Sequence, residues 1–185
     1  MRYGYAFQIA HRLVVARDLV GAPDKIIGVA QRLEDFALRH TWDTAKGGFF
    51  YAGPAPPPTY IEGDDLRVRK KVWWVQFEAL KALLALSSVV EDNDVYLHSF
   101  AVLWRYLHRH LFDSQHGGVY TAGLESLPRW QRWLGAKFAP VDFTRKGSVW
   151  KDGSHDGRAL LFCLSTFRDN PQHLQLSNME TEISS

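Results

Sequence analysis

Two side chains suited to proton chemistry, His155 and Arg158, lie three residues apart near the end of the chain. An imidazole titrates near neutral pH and can carry a proton, and a guanidinium can hold an oxyanion or a hydroxyl group. The apolar run that follows predicts a helix over 154–167, with both side chains on its first turn. This pattern indicates an acid/base site at the start of a helix. The competing interpretation is a surface or core histidine with a single hydrogen bond.

A second candidate stretch separates into two faces at helical spacing between 71 and 84. One face is apolar and should pack into the core, and it comprises Trp73, Phe77, Leu80 and Leu84. The neighbouring stripe carries a cation, an indole and a carboxylate, namely Lys71, Trp74 and Glu78. An ordinary amphipathic helix with Glu78 paired to Lys81 would also explain the pattern. However, Gln76 and Glu78 are surrounded by apolar residues, and buried polar groups need partners, which favours a built site.

The composition argues against several classes of protein. The chain has 185 residues, 46% of them apolar, and a formal charge of +2 with acids and bases interspersed. This length suits one domain, and a basic run as short as 67–71 does not predict nucleic-acid binding. No segment approaches the ~18 apolar residues of a membrane span, so we expect no membrane contact and a cytoplasmic protein. A single cysteine, Cys163, predicts no internal disulfide and a reducing compartment.

Motifs for metals and phosphates are missing from the sequence. His98, His108 and His110 share one predicted helix, but without the glutamate that a zinc-binding helix of the His-Glu-x-x-His type requires. The sequence contains no glycine-rich phosphate loop either. We therefore expect neither a metal site nor a cofactor.

The strongest internal signal is a repeated turn of the type Asp-x-x-x-Gly-Gly. The segment 42–53 recurs 70 residues later as 112–123, each copy following a helical pattern and preceding a short run of β-propensity. Helices are predicted over 3–20, 23–40, 70–89, 92–111 and 154–167. A proline-rich loop is predicted at 54–58, and a loop folded over a site is predicted around Trp130 and Trp133. Residues 1–169 should form one all-α domain, with 170–185 as a flexible polar tail.

Together these motifs resemble the N-acylglucosamine 2-epimerase superfamily, which includes cellobiose 2-epimerases and aldose–ketose isomerases that act on mannose. The resemblance rests on Lys71-x-Trp73-Trp74-x-Gln76-x-Glu78, the repeated turns, and Lys146-Gly-x-x-Trp150-Lys151-x-x-x-His155-x-x-Arg158. It implies an all-α fold, namely the C-terminal half of an (α/α)6 toroid built from helical hairpins with short β-hairpin loops. It also implies a monosaccharide or small oligosaccharide as ligand, with no cofactor.

The resemblance further implies roles for individual residues. His155 matches one of the family's two catalytic histidines. The other histidine corresponds to Tyr5 in Gly4-Tyr5-Ala-Phe-Gln8, where the family's histidine and glutamate are replaced by Tyr5 and Gln8. The expected substrate contacts are the oxygen-polarising side chains Arg158 and Lys151, a platform of Trp73 and Trp74, and the orienting side chains Glu78 and Gln8. Because a phenol is mostly neutral at pH 7, one-base isomerisation through His155 is favoured over two-base epimerisation.

Three functions are compatible with these residues. The first is a sugar epimerase or isomerase, and the second is a non-catalytic sugar-binding or interaction protein that keeps the fold. A glycoside hydrolase is the least favoured, because two of its three candidate carboxylates, Asp43 and Asp113, sit in the repeated turns and should stabilise them. Half a toroid would also expose apolar surface, so we expect a homo-oligomer or pairing with an N-terminal half.

Overall fold

The computed structural model describes residues 2–52, 70–123, 125, 143 and 145–171. These residues form five helices: α1 (Gly4–Val20), α2 (Lys25–Thr41), α3 (Trp73–Ser87), α4 (Asp94–His110) and α5 (Asp156–Asp169). Each helix agrees with a predicted segment to within three residues at either end, which confirms the all-α prediction. The predicted loop at 54–58, Trp130 and Trp133, and nearly all of the predicted tail lie outside the described residues.

The most apolar helix, α3, occupies the centre of the described structure. Every residue of α3 except Trp74 is buried. A helix that is apolar on all sides needs cover on all sides, and α1, α2, α4 and α5 each pack against it. The residues predicted to form its core face are all buried, and they are Trp73, Phe77, Leu80 and Leu84.

The helices α1 and α2 form the hairpin that the sequence predicts. Gly21 ends α1 with a φ of +63°, a left-handed conformation that glycine adopts without steric cost. The chain therefore reverses within four residues before α2 begins. Along α2 a buried residue recurs every three or four positions, as expected for a helix with one face on the core.

The two repeated turns have the same hydrogen-bonding geometry. Oδ1 of Asp43 accepts the backbone N–H groups two and three residues ahead, and Oδ1 of Asp113 does the same. The paired glycines of both turns have φ values between +70° and +83°. These contacts confirm that the aspartates stabilise the turns, so only one of the three candidate carboxylates, Glu78, is left for a hydrolase, which needs two.

A lysine from the segment that follows binds each turn. Nζ of Lys71 donates to the carbonyl oxygen of Gly47 at 2.6 Å and lies 2.8 Å from Oδ2 of Asp43. Lys146 makes the matching contacts with Gly117 and Asp113 in the second turn. Each repeated turn is therefore fastened to a later part of the chain through a buried or half-buried ammonium group.

The short strand predicted after each glycine pair is reduced to isolated β-bridges, one of which closes the turn itself. Trp42 pairs with Phe49, and the equivalent bridge in the second copy joins Phe112 to Val119. In the first copy, the side-chain amide of Gln76 accepts the N–H of Phe49 at 2.8 Å and donates to its carbonyl at 2.7 Å. A side chain thus occupies both backbone groups that a neighbouring strand would have used.

Candidate active site

His155 immediately precedes α5, and its imidazole reaches the middle of α3. Nδ1 of His155 lies 2.7 Å from Oε1 of Glu78, with the histidine side chain 24% exposed and the glutamate side chain 0% exposed. The structure therefore joins a carboxylate in the core to an imidazole that reaches the surface. The helix begins two residues later than predicted, so His155 precedes its first turn while Arg158 lies within it.

The charge of Glu78 is held by three basic side chains. Burial alone would raise the pKa of Glu78, but hydrogen bonds from His155 and Lys81, together with the charge of the Lys81 ammonium, lower it to about 2. Lys81 Nζ lies 2.8 Å from Oε2, and Arg158 donates to Oε1 at 3.3 Å. Glu78 pairs with Lys81, as one interpretation of the sequence predicted, but Lys81 is buried rather than at the surface, and Glu78 also contacts His155. An ionised carboxylate only accepts hydrogen bonds, so Nδ1 of His155 carries the hydrogen and Nε2 is the basic nitrogen.

Arg158 lies beside the histidine on the exposed side of the site. Its side chain is 54% exposed while its guanidinium contacts Glu78. A guanidinium placed in this way can bind the buried carboxylate and still present donors to a ligand.

Trp74 brings Tyr5 and His155 to the same place. Its ring centroid lies 5.7 Å from that of His155 and 5.5 Å from that of Tyr5. Tyr5 is 50% exposed, and Trp74 is the one residue of α3 that is not buried. Four of the predicted site residues, His155, Glu78, Trp74 and Tyr5, are thus linked by contacts that run from α1 through α3 to the start of α5.

Three other predicted site residues lie less directly at this site. Trp73 is 6% exposed, and the ammonium group of Lys151 lies over its ring at 5.3 Å. The same ammonium lies 3.2 Å from Asp156, with the Lys151 side chain 3% exposed, so these groups brace the start of α5 from the inside. Gln8 is partly buried on α1, one turn beyond Tyr5.

The prediction that Lys71 shares a stripe with Trp74 and Glu78 is wrong. Val72 is extended, with φ −82° and ψ 140°, and α3 begins only at Trp73, so Lys71 lies before the helix. Its ammonium binds the first repeated turn instead. The motif at 71–78 therefore contributes to two places. Lys71 and Gln76 bind the first repeated turn, whereas Trp74 and Glu78 belong to the candidate site.

His11 on α1 was missed by the sequence analysis. Its ring meets Phe162 of α5 edge-on at 4.9 Å, and its Nε2 is buried without a hydrogen-bond partner among the described residues. Burial, with a smaller contribution from the nearby ammonium of Lys81, lowers the pKa of His11 to about 4, so the ring is neutral at pH 7. The sequence feature that indicates its burial is its position four residues after the core residue Phe7, because residues four apart lie on one side of a helix.

Within the described ranges, no cluster of three or more histidine, cysteine, aspartate or glutamate side chains is arranged to hold a metal ion. None of the described helices is long and apolar enough to cross a membrane.

Comparison with solved structures shows the same fold in sugar-converting enzymes. A D-mannose isomerase aligns with a TM-score of 0.68 at 21% identity, over 91% of this chain and 38% of its own. The cellobiose 2-epimerase from Bacillus thermoamylovorans B4167 aligns with a TM-score of 0.63 at 20% identity, over 89% and 37%. The corresponding enzyme from Spirochaeta thermophila DSM 6192 gives 0.62 at 16% identity, over 92% and 40%. The chain thus spans about two fifths of the length of these structures, which agrees with the predicted part of an (α/α)6 toroid.

Sequence comparison identifies the family directly. No curated protein sequence matches the chain significantly. The family model described as N-acylglucosamine 2-epimerase, however, matches residues 7–125, well over half of the chain. That range contains most of α1, all of α2 to α4, both repeated turns and the motif at 71–78 that carries Glu78. The chain therefore belongs to the N-acylglucosamine 2-epimerase family.

Proposed function

We propose that the chain is a sugar isomerase or epimerase that moves a proton at carbon 2 of a monosaccharide or small oligosaccharide, with His155 as the acid/base. The proposal is carried by the 2.7 Å contact between the partly exposed His155 ring and the buried Glu78. Glu78 fixes the hydrogen on Nδ1, which leaves Nε2 to accept a proton from a ligand. The names of the solved relatives, a mannose isomerase and cellobiose 2-epimerases, support this substrate class.

The proposed reaction needs one base and one oxyanion-binding group. Nε2 of His155 removes the proton from carbon 2 of the open-chain aldose, and the C–H electron pair forms the carbon 1–carbon 2 double bond of an enediolate. The charge that develops on oxygen 1 is held by Arg158, which lies against the same carboxylate as the histidine. Return of the proton to carbon 1, with transfer of the hydroxyl proton from oxygen 2 to oxygen 1, yields the ketose.

Epimerisation would require a second group to protonate carbon 2 from the opposite face. The position of the family's second histidine holds Tyr5, which contacts Trp74 and is half-exposed. A phenol gives up and regains a proton less readily near neutral pH than an imidazole does, so aldose–ketose isomerisation through His155 alone is the favoured reaction. In this arrangement the Trp74 ring is the surface on which the sugar packs.

A non-catalytic sugar-binding protein is the second candidate. It is favoured by Tyr5 and Gln8, which stand where a histidine and a glutamate would complete the two-base pattern. Such a protein would use Arg158 and the Trp74 ring to bind a sugar, and the His155–Glu78 pair would act only as a hydrogen-bonding group. The two candidates differ in one measurable property, which is exchange of the proton at carbon 2.

Proton exchange in D2O tests both candidates. The purified chain is incubated with aldohexoses, N-acetylated hexosamines and β-linked disaccharides, and NMR follows deuterium at carbons 1 and 2 together with the appearance of a ketose. We expect exchange that is lost in His155→Asn and retained in His98→Asn, because His98 is an exposed histidine on α4. Saturable binding without exchange would support the binding protein instead. Neither binding nor exchange across the panel would refute both.

We further propose that another protein surface covers the outward side of α5, most simply a second copy of this chain. Only Ala159 and Cys163 of this helix are buried, while Leu161 and Leu164 are each 67% exposed. The chain also spans about two fifths of the length of the solved relatives. Adjacent exposed leucines are more often covered by a partner than left in water.

A further inference from the structure

Lys81 is a buried cation placed directly behind the carboxylate of the site. It lies three residues after Glu78 on α3, its side chain is 2% exposed, and its Nζ is 2.8 Å from Oε2. The opposite oxygen, Oε1, receives His155 and Arg158. The two oxygens of Glu78 are thus divided between a cation in the core and the groups that reach the surface.

The surroundings of Lys81 contain few groups that could replace it. From α1 the titratable and charged side chains near it are His11 and Arg12, and from α5 they are Arg158 and Cys163. His11 is neutral at pH 7, and burial raises the pKa of Cys163 to about 12, so neither balances the charge of Glu78. The guanidinium of Arg158 is more than half exposed, and water screens its charge more strongly than that of a buried ammonium.

We propose that Lys81 is a positioning residue for the His155–Glu78 pair, because its buried ammonium keeps Glu78 ionised and weakens the pull of that carboxylate on the imidazole proton. Nε2 of His155 is then available to accept a proton from a ligand. The inference rests on the proposed function, in which His155 is the base. Lys81 itself touches no ligand in this scheme and acts through Glu78.

The physical argument compares the pair with and without the cation. With Lys81 present, one buried negative charge faces one buried positive charge at 2.8 Å, and the imidazole of His155 completes the cluster. Without Lys81 the carboxylate lacks its buried counter-ion, and the cheapest compensation is uptake of a proton by the pair. The pair would then be protonated at neutral pH, and His155 would no longer act as a base.

The test is an NMR titration of the His155 ring without sugar, using histidine labelled with 15N and the variant Lys81→Met. We expect the pH midpoint at which the ring gains its proton to rise by about one pH unit or more. The matched control is Lys71→Met, because Lys71 is equally buried on the same segment but pairs with Asp43 and Glu125. It should leave the His155 midpoint unchanged. An unchanged midpoint in folded Lys81→Met, or an equal rise in both variants, would overturn the proposal.

Two further variants separate charge from packing. Lys81→Gln keeps a hydrogen-bond donor and removes the charge, so it should raise the midpoint as Lys81→Met does, and it provides the test if the methionine variant fails to fold. A Gln variant that titrates like the wild type would show a structural role only and would contradict the inference. The double variant Glu78→Gln/Lys81→Met removes both charges and should abolish the rise. Because no sugar is present, these titrations stand apart from the D2O exchange experiment, and either can fail while the other succeeds.

Discussion

The side chain that joins the two halves of the candidate site is Trp74, and its position depends on a glycine. A Cβ atom added to Gly4 would lie within 3 Å of the outer ring of Trp74 and would also touch the side chain of Val75. The indole can lie between Tyr5 and His155 only because residue 4 has no side chain. A small residue on α1 thus sets the spacing of the residues proposed to bind the sugar.

The variant Gly4→Ala should disturb the site while the fold persists. The new methyl group forces the Trp74 ring to move, so we expect altered tryptophan fluorescence and sugar affinity lowered about tenfold, a loss of about 1.4 kcal/mol. Isothermal titration calorimetry with the sugar identified in the exchange panel measures the affinity. Gly28→Ala is the matched control, because the nearest atom to its added Cβ lies 3.6 Å away. It should leave binding intact and stabilise α2 by about 0.5–1 kcal/mol. Equal affinities for the two variants would refute the role of Gly4.

At the residue level, the sequence indicates which side chains belong to the candidate site but not which of them contact one another. His155, Arg158 and Glu78 stand out because ionisable groups beside apolar runs need compensation. The contact between Glu78 and His155 joins positions 77 residues apart, which no local pattern encodes. Lys71 was misplaced because helical periodicity continues through it, whereas the extended conformation of Val72 is fixed by a bridge to Ala122.

Among the helices, α2 carries a feature that opposes stability. Glu34 lies on its core-facing side, fully buried, with neither carboxylate oxygen hydrogen-bonded to the described residues. Burial, with a contribution from the charge of Asp35, raises the pKa of Glu34 well above its ordinary value of 4.5. The carboxyl group is therefore protonated in the folded protein under conditions where it would be ionised in the unfolded chain.

Glu34→Met should stabilise the protein at pH 7 by about 1–3 kcal/mol, because it removes an unpaired buried polar group. Below pH 4.5 the Glu34 carboxyl is protonated in both the folded and the unfolded state, so its ionisation does not affect the free energy of unfolding. As the pH rises above 4.5, the carboxyl ionises in the unfolded state first, and this lowers the stability of the wild type. The stabilisation by methionine should therefore grow as pH rises from 4 to 7. Urea unfolding at several pH values measures it, with the exposed Glu91→Met as control. A gain that is absent, or equal in both variants, would contradict this account.

At the level of helices, the periodicity of apolar residues predicts which helices form and in what order. It does not predict what each helix face contacts. The spacing of Trp73, Phe77, Leu80 and Leu84 predicted a helix with one core face, whereas α3 is buried on all sides except at Trp74. Its buried Glu78 and Lys81 compensate each other, which lets two charges lie in a helix that is otherwise apolar. The segments of predicted β-propensity form isolated bridges rather than longer strands, and in the first copy the Gln76 side chain binds the backbone groups of Phe49.

For the whole molecule, the exposed leucines of α5 predict association. We expect the purified chain to form dimers or larger assemblies at micromolar concentration, because Leu161 and Leu164 present apolar surface on a helix with little cover. The double variant Leu161→Lys/Leu164→Lys should shift the protein towards monomer in sedimentation velocity experiments. The control Leu19→Lys/Val20→Lys changes two apolar residues that are each 77% exposed at the end of α1, and it should not shift the distribution. A monomeric wild type would exclude this interface.

The lysines that bind the repeated turns determine how long each structural unit is. Lys71 serves the turn of Asp43, and Lys146 serves the turn of Asp113, so each fastening residue lies beyond the helix-and-turn copy that it completes. The structural unit is therefore longer than the repeat visible in the sequence, because each turn needs a lysine from outside its own copy. Removal of either lysine would leave the aspartate of that turn without its counter-ion.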